Sequence, residues 1–158
     1  MSGTLQLRVS VARQIVEVFR DGAPVWSAPV STSKFGTGEE PGSFKTPLGN
    51  FQIAEKIGAG EPWGMVFKGR KPQGDIWSPD EPDDRDDEDL ILTRILWLEG
   101  IEPHNANTKP RYIYFHGTNH EDEIGEPASC GCVRLRNDDM LRLFDLAQEG
   151  TPVEITES

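Results

Sequence analysis

Cysteine is scarce in this chain: Cys130 and Cys132 are the only two among 158 residues. That scarcity excludes a disulfide-stapled scaffold. Two residues apart, they could close only a tight, strained ring. A four-ligand zinc site would need further partners, and the chain offers just three histidines. At least one thiol is therefore expected to react. Positive charge is also short, with 16 Lys and Arg against 27 Asp and Glu and a formal charge of −11. Such a balance repels nucleic acid and anionic membranes, so neither is expected as a partner. No segment approaches the ~18 consecutive apolar residues of a membrane span. The start, Met1 to Arg8, has no basic region followed by an apolar one, so no secretory signal is read there. The expected location is the cytoplasm, or the periplasm or exterior if a leader has been removed. Nothing in the residues requires a metal, nucleotide or other cofactor, or sets an oligomeric state.

What the chain does have is turn-forming residues, 16 Gly and 12 Pro, with an apolar content of 35%. Together these point to many short strands in a single domain, residues 1–158, rather than to long helices. Leu5, Leu7, Val9 and Val11 alternate with polar residues, and Ile15 to Phe19 alternate again. Asp21-Gly22 offers a tight turn before Val25 to Val30 return, an antiparallel meander. Ser31 to Pro47 reads as a long loop, and a Gly- and Pro-rich loop is more often connection than site. Gly49 to Ile57 resumes strand character, and Gly58 to Asp89 reads as an irregular flap. Within it, Asp80 to Asp89 holds eight acidic residues and one Arg, expected to form a solvated loop. Ile91 to Leu98 has strand length, with a short helix as the alternative. Tyr112 to Phe115 forms a strand that delivers His116 and Gly117 at its end. Asn137 or Asp138 is placed to cap a helix through Met140, Leu141, Phe144 and Leu146, which Gly150 would stop. Thr151 to Ile155 then closes the chain as a last strand. The fold class expected is mainly β, sandwich- or barrel-like, with a C-terminal helix.

The chemistry concentrates in His116-Gly-Thr-Asn119, Ile124-Gly125 and Ser129-Cys-Gly-Cys-Val-Arg134. A free thiol with a pKa near ~8.5 is mostly protonated at neutral pH. An adjacent imidazole can take its proton and return it to a leaving amine. Cys132 is the candidate nucleophile and His116 its base. Gly131 lets the backbone approach closely and turn N–H groups toward an oxyanion. A lone Cys or His is more often structural, and what favours chemistry here is the Gly-flanked, polar setting of both. His120 and His104 sit in polar loops and are weaker candidates. The tryptophans could line a groove or pack in the core.

These segments resemble the signature of the L,D-transpeptidase catalytic domain family (the YkuD type): a His-Gly, a spacer ending in Ile-Gly, then Ser-x-Gly-Cys-(Ile/Val)-Arg. Pro29-Val-Ser-Thr32, Lys45-Thr-Pro-Leu-Gly-Asn-Phe-Gln-Ile53 and Gly150-Thr-Pro-Val-Glu-Ile155 resemble the family's upstream and closing strands. The resemblance implies a β-rich fold and acyl transfer on peptidoglycan stem peptides or muropeptides. The thiolate would attack the carbonyl before the terminal D-Ala of a tetrapeptide, and the thioester would pass to water or to an amine. Carried onto this chain, Cys132 is the nucleophile and His116 the base. The Gly117 carbonyl orients the imidazole, and the Gly131 and Cys132 N–H groups face the oxyanion. Ser129, Tyr114 and Thr118 join Arg134 as expected substrate contacts. Arg134 suits a substrate carboxylate, or alternatively pairs with the acidic loop. One departure stands out. Many members carry His where this chain has Cys130, which leaves Cys130 as a small filler, a tuner of the pocket, or a partner for an oxidised Cys132.

Three functions follow. The first is an L,D-carboxypeptidase that trims muropeptides during recycling, and the missing signal favours it. The second is an L,D-transpeptidase that crosslinks or exchanges D-amino acids in the wall. The third is an inactive wall-fragment binding module, which would have no need of Cys132, His116 and Arg134 together.

Overall fold

The computed structural model describes residues 4–158, so the first three residues of the start considered above lie outside it. Among the described residues there are ten strands and one α-helix. They are β1 (Leu5–Ser10), β2 (Ile15–Arg20), β3 (Ala23–Pro29), β4 (Gly49–Ile57), β5 (Met65–Lys68), β6 (Lys71–Ile76), β7 (Ile91–Gly100), β8 (Tyr114–Gly117), β9 (Val133–Leu135), α1 (Asn137–Leu146) and β10 (Pro152–Thr156). The class is the expected one, mainly β with a helix near the C-terminus.

The strands join in one mixed sheet of order β3-β2-β1-β10-β4-β7-β5-β6, and β8 and β9 branch from β7. Two pairings are parallel, β1 with β10 and β8 with β9. Asp21 and Gly22 both have positive φ, 53° and 83°, the geometry of a two-residue hairpin turn between β2 and β3. The alternation read in β1 and β2 places Leu7, Val9, Val16 and Val18 in the main core. Phe51, Leu96, Leu98, Phe115, Val133, Leu135 and Val153 join them there. Helix α1 covers this core with Met140, Leu143 and Phe144, the spacing of one helical face.

Three local expectations differ from what forms. The 58–89 stretch is not wholly irregular. It contains the β5–β6 hairpin, whose second strand is exposed throughout and so lacks the alternation that marks a strand. Tyr112 is not in a strand; it takes a left-handed conformation (φ 60°) after a single 3₁₀ turn, Lys109–Arg111. Asn137 does not cap α1. Arg136 holds the cap position without a side-chain bond, and Asn137, one residue inside, turns its amide into the protein.

Candidate active site

The β8–β9 pair positions the chemistry. Phe115 lies opposite Val133 and His116 opposite Arg134 in parallel register. Because strand side chains alternate, Phe115, Val133 and Leu135 enter the main core. Tyr114, His116 and Arg134 take the other face. Cys132, one residue before β9, packs on that face with Tyr114, Phe67, Met65 and Ile95. His116 and Cys132 thus sit on neighbouring chains of one sheet face, offset by two residues.

The Cys132 side chain is half-buried. Its Sγ–H donates to the Tyr112 carbonyl at 3.4 Å, and Sγ accepts the Tyr114 N–H at 3.4 Å. Burial pushes the thiol up to about 12, with the Tyr114 N–H opposing. His116 is 1% exposed, and burial lowers its pKa from the ordinary 6.5, against the pull of Asp89. Both groups are therefore neutral at rest. Nδ1 of His116 lies 2.6 Å from the Gly117 carbonyl. A carbonyl only accepts, so Nδ1 carries the hydrogen and Nε2 keeps a free lone pair.

The turn before Cys132 is held by three side-chain hydrogen bonds. Ser129 Oγ donates to the Cys132 carbonyl at 2.7 Å and accepts the Gly131 N–H at 3.3 Å. Thr46 Oγ1 donates to the Gly131 carbonyl at 3.0 Å. Gly131 has φ +123°, a conformation open to glycine. Ser31 and Arg134 exchange backbone bonds of 2.9 Å in both directions. The long 31–47 loop is therefore pinned along this face as a wall of the site. The Cys132 N–H has no acceptor among the described residues, whereas the Gly131 N–H is taken by Ser129.

The expected substrate contacts are buried and internally bonded. Arg134 is 1% exposed. Its Nη1 pairs with Asp89 at 3.0 Å, and its Nη2 with Glu123 at 2.8 Å and Ser31 Oγ at 3.0 Å. This is the pairing with the acidic loop weighed above, made by Asp89 at that loop's end. Thr118 Oγ1 accepts the His120 N–H at 3.0 Å, and its carbonyl accepts from Asn137 Nδ2 at 2.9 Å. The Tyr114 hydroxyl accepts from Arg70 Nη1 at 3.2 Å. Cys130 is exposed and so is not a packed filler. It lines two clefts. One, of about 200 Å³, has Pro41, Phe44, Arg111 and Ile113. The other, of about 330 Å³, has Lys34, Asp87, Asp89, His120 and Glu123. His104 lies elsewhere, against the Leu48 carbonyl. Trp63 stacks on Trp77, so those two are packing residues. Among the described residues no three His, Cys, Asp or Glu side chains converge as metal ligands, and no helix is long and apolar enough to cross a membrane.

A family model described as the L,D-transpeptidase catalytic domain (YkuD) matches residues 6–155. The chain belongs to this family. An Escherichia coli (strain K12) relative, "Probable L,D-transpeptidase ErfK/SrfK", is 51% identical over 45 residues, 28% of this chain and 14% of the relative. An L,D-transpeptidase from Xylanimonas cellulosilytica superposes with TM-score 0.61 at 20% identity, over 99% of this chain and 62% of that one. L,D-transpeptidase 3 of Mycobacterium tuberculosis, solved with a faropenem-derived adduct, gives 0.61 at 16%, over 98% and 60%. At these identities the structures establish the fold. This chain covers about three-fifths of those two structures and a much smaller part of the curated relative.

Within this L,D-transpeptidase domain, sequence reading missed several supports. Asn137 accepts from Thr93 Oγ1 at 2.6 Å and donates to the Thr118 carbonyl. A Cβ on Gly117 would collide with Asn137 Oδ1 and the Leu92 carbonyl, so glycine is required beside His116. Thr93 has φ 76°, strained for a β-branched residue. It sits where β7 shifts register opposite β8. None of these carries a local motif; the only available signal was the break in β7's apolar run at Thr93-Arg94.

Proposed function

We propose that this chain is a cysteine-dependent acyl-transfer enzyme acting on peptidoglycan stem tetrapeptides. It cuts the L,D bond before the terminal D-Ala through a Cys132 thioester, with water as acceptor, as in muropeptide recycling. The observation that carries the proposal is a neutral thiol and a neutral imidazole on one sheet face, with Nδ1 committed to the Gly117 carbonyl.

The Cys132 Sγ–H proton passes to Nε2 of His116 as sulfur attacks the substrate carbonyl. The Tyr114 N–H already points at sulfur and supports its developing charge. The unengaged Cys132 N–H is the donor available to the oxyanion. Collapse breaks the C–N bond, the leaving amine takes the proton from His116, and the acyl group remains on sulfur. Water then gives its proton to Nε2, attacks the thioester and releases the shortened peptide and the thiol. A second reading, with an amine as acceptor, is favoured by the match to the L,D-transpeptidase domain model.

The test is mass spectrometry of a purified disaccharide-tetrapeptide incubated with the protein, with and without an added D-amino acid. Tripeptide in both tubes supports the hydrolase. Exchange product or crosslinked dimer supports the second reading. An unchanged tetrapeptide contradicts both.

A further inference from the structure

Arg134, the arginine of the motif, is consumed by two carboxylates of its own chain, which raises the question of what else near the thiol could recognise an anion. Arg70 lies at the tip of the β5–β6 hairpin, beside Gly69, and both have positive φ, 64° and 55°. This is the two-residue turn that a register of Lys68 opposite Lys71 requires. The turn aims Arg70 back over the sheet. Its guanidinium lies 4.8 Å from the Trp97 ring centre and 4.9 Å from that of Tyr112, and Nη1 donates to the Tyr114 hydroxyl. The same two tyrosines hold the nucleophile: the Tyr112 carbonyl accepts from Cys132 Sγ and the Tyr114 N–H donates to it. Arg70 is therefore fixed on the platform that fixes the thiol.

Arg70 is also without a counter-ion. Among the described residues no carboxylate lies within salt-bridge distance of it. Glu55, on the same side, is paired with Lys109 at 3.1 Å. Lys109 itself lies over Trp97 at 4.8 Å. Arg111, also nearby, spends its guanidinium on the carbonyls of Gly38 and Lys45. In a chain with eleven more acidic than basic residues, a half-exposed guanidinium held flat on aromatic rings, with donors to spare, is a place for an external anion.

We infer that Arg70 is a specificity-determining residue that binds a carboxylate on the substrate's leaving side. A residue directly after the scissile carbonyl carries its own carboxylate roughly 4–5 Å from the reacting carbon, within the span of one tyrosine side chain. That the carboxylate belongs to a stem peptide rests on the function proposed above; the anion site itself does not.

Two probes separate these statements. Iodoacetate and iodoacetamide alkylate the same sulfur and differ in charge. Their rates at Cys132, resolved from Cys130 by peptide mapping, give a ratio in which thiol reactivity and folded fraction cancel. Arg70→Gln is expected to lower the iodoacetate-to-iodoacetamide ratio about 3- to 10-fold, and Arg70→Lys to keep most of it. An unchanged ratio in Arg70→Gln overturns the assignment. In the second arm, a tetrapeptide with a free C-terminal carboxylate is compared with its carboxamide. Wild type is expected to favour the acid through KM, and Arg70→Gln to lose that preference, its acid-to-amide ratio of kcat/KM falling toward one. A ratio that responds to Arg70 while neither peptide is cleaved leaves the anion site standing and sinks the stem-peptide reading.

Discussion

Each flank of Cys132 carries an arginine, and the two are used in opposite ways. On the acidic flank, Arg134 is fully buried and bonded to Asp89, Glu123 and Ser31. On the aromatic flank, Arg70 rests half-exposed on Trp97 and Tyr112, bonded to one neutral hydroxyl. Arg134 stands two residues from the thiol in sequence, and Arg70 sixty-two. Proximity in the chain points to an arginine that two carboxylates already hold, because β9 buries one face of its residues against the 31–47 loop and the 121–123 turn. What a guanidinium can do is decided by which carboxylates already hold it and by whether water reaches it.

The sharpest ways to break this comparison begin with the pair between the flanks. Cys132→Ala is expected to abolish turnover without loss of the fold, and His116→Ala to cost ~10²–10⁴-fold in kcat. Both are measured by product release from a tetrapeptide. Full activity in either variant would remove the centre around which the flanks are defined. Next come the arginines. Arg134→Met leaves Asp89 and Glu123 without their cation and should cost about 2–3 kcal/mol of stability. That is less than for a fully buried pair, since both carboxylates stay about a third exposed. Arg70→Gln should cost far less, since its guanidinium reaches solvent and bonds one neutral hydroxyl. Urea melts of the two variants would settle the contrast, and equal losses would contradict it.

Asn137→Ala tests the support under Gly117. It leaves the Thr118 carbonyl without its side-chain donor and the Thr93 hydroxyl proton without an acceptor, at about 1–3 kcal/mol, and should lower kcat more than it raises KM. The smallest effect is on pH dependence. His116 must be neutral to accept a proton, and burial lowers its pKa below 6.5. Activity should therefore stay level as pH falls to 6.5 and decline only below it. Stability follows the same sign. The unfolded chain takes up the proton first, so stability begins to fall as pH drops through about 6.5. An acid limb centred above 6.5 would contradict the buried, neutral imidazole.

Much of this architecture was legible in advance where physics is local. The alternation in β1 and β2, the Asp21-Gly22 turn and the apolar face of α1 are each set by neighbours a few residues apart. The pairing of His116 with Cys132 was legible from their chemistry and from the family motif but not from any pattern, because the parallel β8–β9 pairing joins segments with no periodic signal between them. Asp89 hid within a run of acidic residues that reads as solvated, and only the fold singles it out as Arg134's partner. β6 was illegible because it is exposed throughout, so no face had to be apolar, and with it went any view of Arg70 at the hairpin tip. Asn137 looked like a cap, since Asn before an apolar spacing usually is one. Its bonds to Thr93 and the Thr118 carbonyl hold it inward, in space that Gly117 leaves open, and those partners are distant in the chain.

The most direct test of the account is the mass of the protein itself, trapped by acid quench during turnover of a disaccharide-tetrapeptide and mapped by peptide. The expected result is an acyl adduct equal to the substrate less its terminal D-Ala, as a thioester on Cys132. An adduct on Cys130, or product formed with Cys132 never modified, would contradict it.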